Sequence, residues 1–396
     1  MPKRYTPDWL KGFLDFTENS EPPRMFRLWT AISVVAAALQ RKCCLRWGSL
    51  DFYPNLYIVL VAPSGKARKG TAMTPGLKML RKLNIKFAGN ATTREALIRD
   101  LKLAGSADVD PATGAVEIHA SLTIFSKELT VFLGYQNREL MSNLTDWFDC
   151  DDDWDYRTKT QGTDTVKGVW VNMIGATTPD LIQTSMPQDA IGGGLTSRMI
   201  FVYEEEKEKI VVVPTLTAKE IELREHLLTD LEKIHMLKGD FEATEGFISE
   251  YTVWRLKQEQ QTPFKESRFA GYFERRPAHI LKLCIIMNAA RTDSMIIDVQ
   301  DFERAVSVLS GTEVKMPKTF AGVGKAKEAD MMSKVINELG KHKEGMEMSE
   351  LQYMFMYDAD KWVMDQVIQT LDASNLISMV HIGVKTILRM RVFKDE

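Results

Sequence analysis

The chain has 396 residues, 44% of them hydrophobic and 27% charged, with a formal net charge of −3. That length suggests two or three domains with material for a real core, and the composition is ordinary for a globular protein, pointing to neither disorder nor a membrane protein. With no overall basic excess, any contact with nucleic acid has to come from local patches.

Four cysteines, Cys43, Cys44, Cys150 and Cys284, show neither zinc-ligand spacing nor a disulfide framework, which points to a reducing compartment. The longest apolar run near the start, residues 34–39, is too short to span a bilayer. No signal-peptide pattern precedes it, so a cytoplasmic protein with no membrane contact is expected. Residues 1–48 read as helical. Trp9, Leu10, Phe13 and Leu14 recur at helical spacing, and Glu21-Pro22-Pro23 interrupts before a second apolar helix over about 23–40.

Residues 56–62, Leu-Tyr-Ile-Val-Leu-Val-Ala, read as a strand buried on both faces. Pro-Ser-Gly-Lys-Ala-Arg-Lys-Gly-Thr comes next at 63–71, and a helix continues over 72–82. Strand, glycine-bearing loop and helix in that order form a phosphate cradle, with backbone N–H groups facing the anion and a lysine neutralising it. Against the pattern G-x-x-x-x-G-K-[ST], with Lys69 as the phosphate lysine, Pro63 and Arg68 fill the two glycine slots. Gly70 stands where Ser or Thr should hold magnesium, and Thr71 comes one place late. Lys66, directly after Gly65, is the rival lysine; an ordinary strand-to-helix turn with solvated lysines is the plainer alternative.

Residues 86–90 suit a short strand, Thr92-Thr93-Arg94-Glu95 resembles a capping box for a helix through 103, and 104–114 reads as a surface loop. Residues 121–128, Ser-Leu-Thr-Ile-Phe-Ser-Lys-Glu, form an apolar strand ending in a carboxylate. In nucleotide hydrolases such a strand lies beside the phosphate-loop strand, and Glu128 fits the role of polarising the attacking water. Lys127 replaces the acid usual before it. The cluster Asp149, Asp151, Asp152, Asp153 and Asp155 is a cation site or, more commonly, a solvated run. Residues 156–167 alternate like a hairpin; Arg157, Lys159 and Lys167 on it either grip a DNA backbone or decorate an ordinary surface.

A further buried strand spans 169–175, and Thr177 or Thr178 at its end is placed to hydrogen-bond a γ-phosphate or its water. The glycine-rich loop 191–198 ends in Arg198 and leads into the apolar strand 199–203. Arg198 either stabilises phosphoryl-transfer charge on a neighbouring subunit's nucleotide or forms a structural salt bridge. Near the other end, three helices between 329 and 374 and two strands, 376–380 and 386–392, resemble a winged helix. Lys361, Lys385, Arg389 and Arg391 are its candidate DNA-phosphate contacts.

The order of these signals resembles the core of an AAA+ ATPase: Walker A, Walker B, pre-sensor hairpin, sensor 1 and arginine finger. More narrowly, Tyr53-Pro-Asn-Leu-Tyr57, Ser126-Lys-Glu128 and Gly194-Leu-Thr-Ser-Arg198 look like the helicase- or primase-associated ATPases of phages and mobile elements, MCM-like in layout. The resemblance covers about residues 51–310. It implies an α/β fold: a helical N-terminal segment (1–50), an AAA+ P-loop core (51–210), an α-helical lid (211–315) and, after a linker at 310–327, the winged-helix domain (326–396).

ATP and Mg2+ are the implied cofactors. Gly65, Lys66, Arg68, Lys69, Gly70 and Thr71 would form the nucleotide loop, with Thr71 assisting magnesium. Glu128, Thr178 and Arg198 would be catalytic. Arg276 would be the sensor 2 arginine, with Arg275 the alternative, beside a Pro277 suited to a first helical turn. The implied activity is an ATP-driven DNA-translocating motor, a hexameric replicative helicase acting on single-stranded or forked DNA, with primase or single-strand-binding protein as further partners. The alternative is a replication initiator or helicase loader using ATP as an assembly switch; a third reading is a degenerate ATPase kept as a DNA-binding protein.

Overall fold

The computed structural model describes every residue except 1–2, 91, 110–113, 115, 159–161, 187–191, 261–263, 265, 321–326, 343, 357, 360, 383–384 and 392–396. The chain divides into two compact units, residues 1–321 and 322–396. The segments 1–50, 51–210 and 211–315 therefore lie together in the first unit.

That unit is α/β. Its main sheet has five strands in the order Gly105–Val109, Val116–Ser126, Val169–Thr177, Tyr57–Val61, Met199–Tyr203. The last four run parallel, and the first pairs antiparallel with Val116–Ser126. The central strands read as unbroken apolar runs because both faces are covered. One difference from expectation is that Val169–Thr177 intervenes between Val116–Ser126 and the loop strand. Another is that 105–109, which reads as loop, is an edge strand. The short strand expected at 86–90 is reduced to a parallel bridge from Phe87 to Thr123.

Helix Trp9–Phe16 starts at Asp8, whose carboxylate accepts the Lys11 N–H at 2.9 Å. Helix Arg24–Leu39 is buried from Phe26 to Leu39, the signature of a helix enclosed on all sides. It presses on the helix after the phosphate-loop candidate so closely that a Cβ on Gly76 would stand 2.6 Å from Val34 Cγ2. The N-terminal helices are thus part of the core.

The chain does not stay helical to residue 48. Cys43–Trp47 is a strand, antiparallel to Leu50–Phe52 and parallel to Gly239–Ala243, with Ile296–Ile297 completing a second sheet. All four cysteines are free and buried, and burial pushes the Cys43 and Cys44 thiols up to about 12.

Asp153–Thr158 and Gly162–Lys167 form the expected antiparallel hairpin; Lys159 lies outside the described residues. The helix 94–103 is capped by Thr93, one residue later than expected, through the Ala96 N–H at 3.2 Å. Helix Ala218–His235 begins with a Thr217/Glu220 capping box. The helix expected to begin at Pro277 instead spans Ala270–Arg291, with Pro277 inside it. Proline donates no N–H to the carbonyl four residues back. That carbonyl, on Phe273, accepts from the Gln258 side-chain amide at 3.4 Å. Residues expected as linker are packed at their start: helix Val299–Glu313 continues into the turn Met316–Phe320, and Phe320 meets Phe201 at 4.9 Å between ring centroids.

The second unit has helices Lys327–Leu339, Met348–Met354 and Lys361–Ala373. Its three-stranded antiparallel sheet, in the order Met346–Glu347, Lys385–Met390, Ile377–Ile382, gains one short strand over expectation. Val335, Leu339, Met364, Val367, Ile368, Leu371, Ile377 and Leu388 form its core. Among the described residues, no helix is long and apolar enough to cross a membrane.

Candidate phosphate-binding cleft

The parallel strands end within two residues of one another. Val61 pairs with both Thr177 and Tyr203, and Ser126 pairs with Gly175, so the segments that leave these strands emerge together at one edge of the sheet. Open α/β sheets bind ligands at this carboxyl edge. A cleft of about 960 Å³ lies there.

After Tyr57–Val61 the Lys66 N–H donates to the Pro63 carbonyl at 3.3 Å, closing a turn in which Gly65 holds φ +70°. Arg68 then takes a left-handed conformation (φ 53°, ψ 39°) just before helix Lys69–Lys82. Glycine accepts that conformation without strain, whereas in any other residue it costs about 1–2 kcal/mol. The Arg68 guanidinium is held by Glu21, which accepts from its Nε at 2.7 Å and also pairs with Lys207 at 3.3 Å. Lys69, Gly70 and Thr71 bring the positive end of the helix dipole onto the cleft.

The Lys69 ammonium donates to the carbonyls of Ala62, at 2.7 Å, and Pro63, at 3.4 Å. Burial pulls its pKa below the usual lysine value, opposed by the nearby Glu128 carboxylate. Lys66, the rival, does not line the cleft; it is exposed, and its carbonyl accepts from the Lys207 N–H at 3.1 Å.

Glu128 lines the opposite wall, immediately after strand Val116–Ser126 and Lys127. Its placement stems from Leu129, which packs on Gly175 so tightly that a Cβ there would stand 2.8 Å from Leu129 Cδ1. Thr177 and Thr178 both line the cleft but differ in engagement. The Thr178 hydroxyl accepts the Leu181 N–H at 3.3 Å and caps helix Pro179–Ser185. Among the described residues the buried Thr177 hydroxyl has no hydrogen-bond partner, so it, and not Thr178, is the free polar group there.

The cleft is also lined by the apolar side chains of Phe16, Met79, Pro214, Leu216 and Leu228 and by Lys78, Lys82 and Arg224. Arg224, on helix Ala218–His235, is invisible in the sequence as a site residue, because one arginine among many charged residues of a surface helix carries no motif.

Two expected arginines lie elsewhere. Arg276 is a correction: it is buried inside the helical part of the unit, donating to Glu313 at 2.7 Å, Ser310 at 3.0 Å and Gln258 at 3.2 Å. Its alternative, Arg275, sits 3.5 Å from Asp149. Arg198 stands at the start of its strand, at the edge of the sheet away from the cleft. It is 7% exposed and donates to Asp149 at 2.5 Å and to the Gly194 carbonyl at 3.1 Å. The salt-bridge alternative is thus the one present within the chain.

Two of the five aspartates of the acidic run pair with arginines, Asp149 with Arg198 and Asp152 with Arg41. Among the described residues no group of three acidic, histidine or cysteine side chains is placed to hold a metal ion. Magnesium at a phosphate loop usually needs a hydroxyl directly after the lysine and an acid on the neighbouring strand. Here Gly70 and Lys127 occupy those positions, Glu128 is the one carboxylate lining the cleft among the described residues, and the Lys127 side chain lies over Gly70, 3.5 Å from where its Cβ would be. The residues do not fit magnesium, and among the described residues Thr71 has no acidic partner with which to hold it.

Of the candidate DNA contacts, Arg157 is exposed on the hairpin with Asp155 at 3.9 Å. Lys167, at the hairpin base, lines a separate pocket with Arg41 and His119. In the second unit Lys385 is paired with Glu347 at 2.7 Å, Arg389 donates to the Glu344 carbonyl at 2.9 Å, and Arg391 donates to the Ile377 carbonyl at 3.0 Å. No protein-family model matches the chain, and no curated protein sequence matches it.

Proposed function

We propose that the cleft binds a nucleoside triphosphate, ATP by the resemblance to AAA+ proteins, and that the protein uses this binding as an assembly switch in replication of phage or mobile-element DNA. The observation that carries the reading is convergence. Lys69 on its loop, Glu128 and the unpaired Thr177 hydroxyl come from three separate parts of the chain to one cleft at the carboxyl edge of a parallel sheet. In this reading the Lys69 ammonium leaves the carbonyls of Ala62 and Pro63 for the phosphate oxygens, and the first turn of its helix adds backbone donors. The wall of Phe16, Met79 and Leu228 receives the apolar part of the nucleotide.

A switch is favoured over a motor because Arg198 is committed to Asp149 and an ammonium takes the place of the usual metal-holding acid. Such a protein acts as an initiator or loader, with the second unit, similar to a winged helix, presenting a docking face. Glu128 on the cleft wall is the specific feature that favours the motor reading. ATP binding and turnover, measured with and without single-stranded DNA, separate the two. The switch predicts ATP binding lost in Lys69→Ala with negligible turnover. DNA-stimulated hydrolysis abolished by Glu128→Gln would establish the motor instead.

A further inference from the structure

We propose that Lys127 supplies the charge that a divalent cation supplies in other phosphate loops, so that this cleft takes its nucleoside triphosphate without a metal. The inference rests on the nucleotide reading above and concerns the ionic form of the ligand.

Lys127 comes directly after strand Val116–Ser126 and directly before Glu128, at the point where an acid would hold magnesium against the β- and γ-phosphates. Its side chain crosses the start of helix Lys69–Lys82 and lies over Gly70, with Cδ 3.5 Å from the place of a Gly70 Cβ. Gly70 itself stands where the pattern has the metal-binding hydroxyl. The two exchanges are complementary. The hydroxyl and the acid that would bind a cation are both missing, and a lysine side chain passes over the position of the first from the position of the second.

The charge of the cleft points the same way. Arg68, Lys69, Lys78, Lys82, Lys127 and Arg224 line it against the single carboxylate of Glu128. Some of these are already neutralised: Arg68 pairs with Glu21, and Lys82 and Arg224 share Glu225. Lys78 and Lys127 form no ion pair among the described residues, and the Lys69 ammonium is held only by backbone carbonyls. These three ammonium groups thus face a ligand that carries about four negative charges when metal-free and about two when magnesium-bound. A divalent ion brought between Lys69 and Lys127 would meet like charge from both sides. An ammonium donates in three directions, so Lys127 can bridge phosphate oxygens as a metal does, and it needs no acid to hold it.

The test is calorimetric titration of ATP into the full chain at fixed ionic strength, once with excess magnesium and once with EDTA. The expected result is binding in EDTA at least as tight as in magnesium. Lys127→Gln should weaken binding in EDTA by about tenfold or more. Lys127→Asp, which restores the acid, should bind ATP poorly in EDTA and recover when magnesium is added. Lys127 is exposed, so neither variant should disturb folding, and an unchanged thermal midpoint checks this. ATP binding by the wild type only when magnesium is present would overturn the role of Lys127 and leave the nucleotide reading standing. No ATP binding in either medium would overturn the nucleotide reading and this inference with it.

Discussion

Arg198 and Asp149 form a 2.5 Å ion pair at the edge of the sheet away from the phosphate-loop candidate, with Arg275 3.5 Å from the same carboxylate. The guanidinium is nearly buried, whereas the carboxylate side chain is 45% exposed. Removing one partner of a fully buried pair costs about 3–5 kcal/mol, and solvent screening at Asp149 reduces that to about 1–2 kcal/mol. Asp149→Ala should lower stability by that amount in urea denaturation. Arg198→Ala should leave ATP affinity unchanged in the isolated chain; a drop of tenfold would place Arg198 at the cleft after all.

Arg276 shows the contrasting case of a pair buried on both sides. It and Glu313 are both almost fully buried, and burial raises the Glu313 pKa while Arg276 opposes the shift. Arg276→Ala would strand that carboxylate, at a cost of about 3–5 kcal/mol. The double variant Arg276→Met/Glu313→Leu should recover most of the loss, with ATP affinity the same as wild type. Equilibrium unfolding of the single and double variants checks the first claim, and ATP titration of the folded double variant checks the second.

Much of the main sheet is legible in the sequence because its central strands are enclosed on both faces and read as long apolar runs. The strand Cys43–Trp47 is not, since its partner Gly239–Ala243 lies far along the chain and neither segment alternates clearly. The edge strand Gly105–Val109 carries Gly, Ser and Asp, so locally it looks like loop, and only pairing with Val116–Ser126 makes it a strand. In the site, Lys69 is readable from its place in the loop-to-helix pattern, and Glu128 and the Thr177–Thr178 pair from their places at or just after strand ends. Which threonine is free depends on the cap at Pro179–Ser185. Arg276 misleads because a pair of arginines before a proline looks like a helix start, whereas the helix begins at Ala270.

Gly175 should be intolerant of a side chain. A Cβ would stand 2.8 Å from Leu129 Cδ1 and 2.9 Å from Leu129 Cβ, in a wall that positions Glu128. Overpacking of this kind costs about 1–3 kcal/mol. Gly175→Ala should lose that much in urea denaturation, and adding Leu129→Ala should cost less than the two changes separately. Strict additivity would contradict the contact.

Acid should destabilise the first unit before its carboxylates titrate. His279 is wholly buried between the rings of Phe148 and Tyr272, with ring centroids at 5.9 and 5.5 Å. Burial, reinforced by Lys282, Arg275 and Arg198, pushes its pKa down to about 3. The unfolded chain then binds the extra proton, so the contribution of His279 is intact above its ordinary value of 6.5 and is lost as pH falls towards 3. His119 and His235 shift in the same direction, mainly through burial. Stability should fall between pH 6.5 and about 4.5, and His279→Phe should flatten the slope by up to about 1.4 kcal/mol per pH unit. An unchanged slope would mean that the ring is protonated in the folded state.

The central claim is that Lys69 and its loop hold the phosphates of a nucleotide, and calorimetric titration of ATP into wild type and Lys69→Ala tests it most directly. Among the described residues the Lys69 ammonium donates hydrogen bonds only to the carbonyls of Ala62 and Pro63, so the variant should fold with a nearly unchanged thermal midpoint and bind ATP at least about tenfold more weakly. Equal affinity in the two proteins, or no heat of binding in the wild type, would contradict the account.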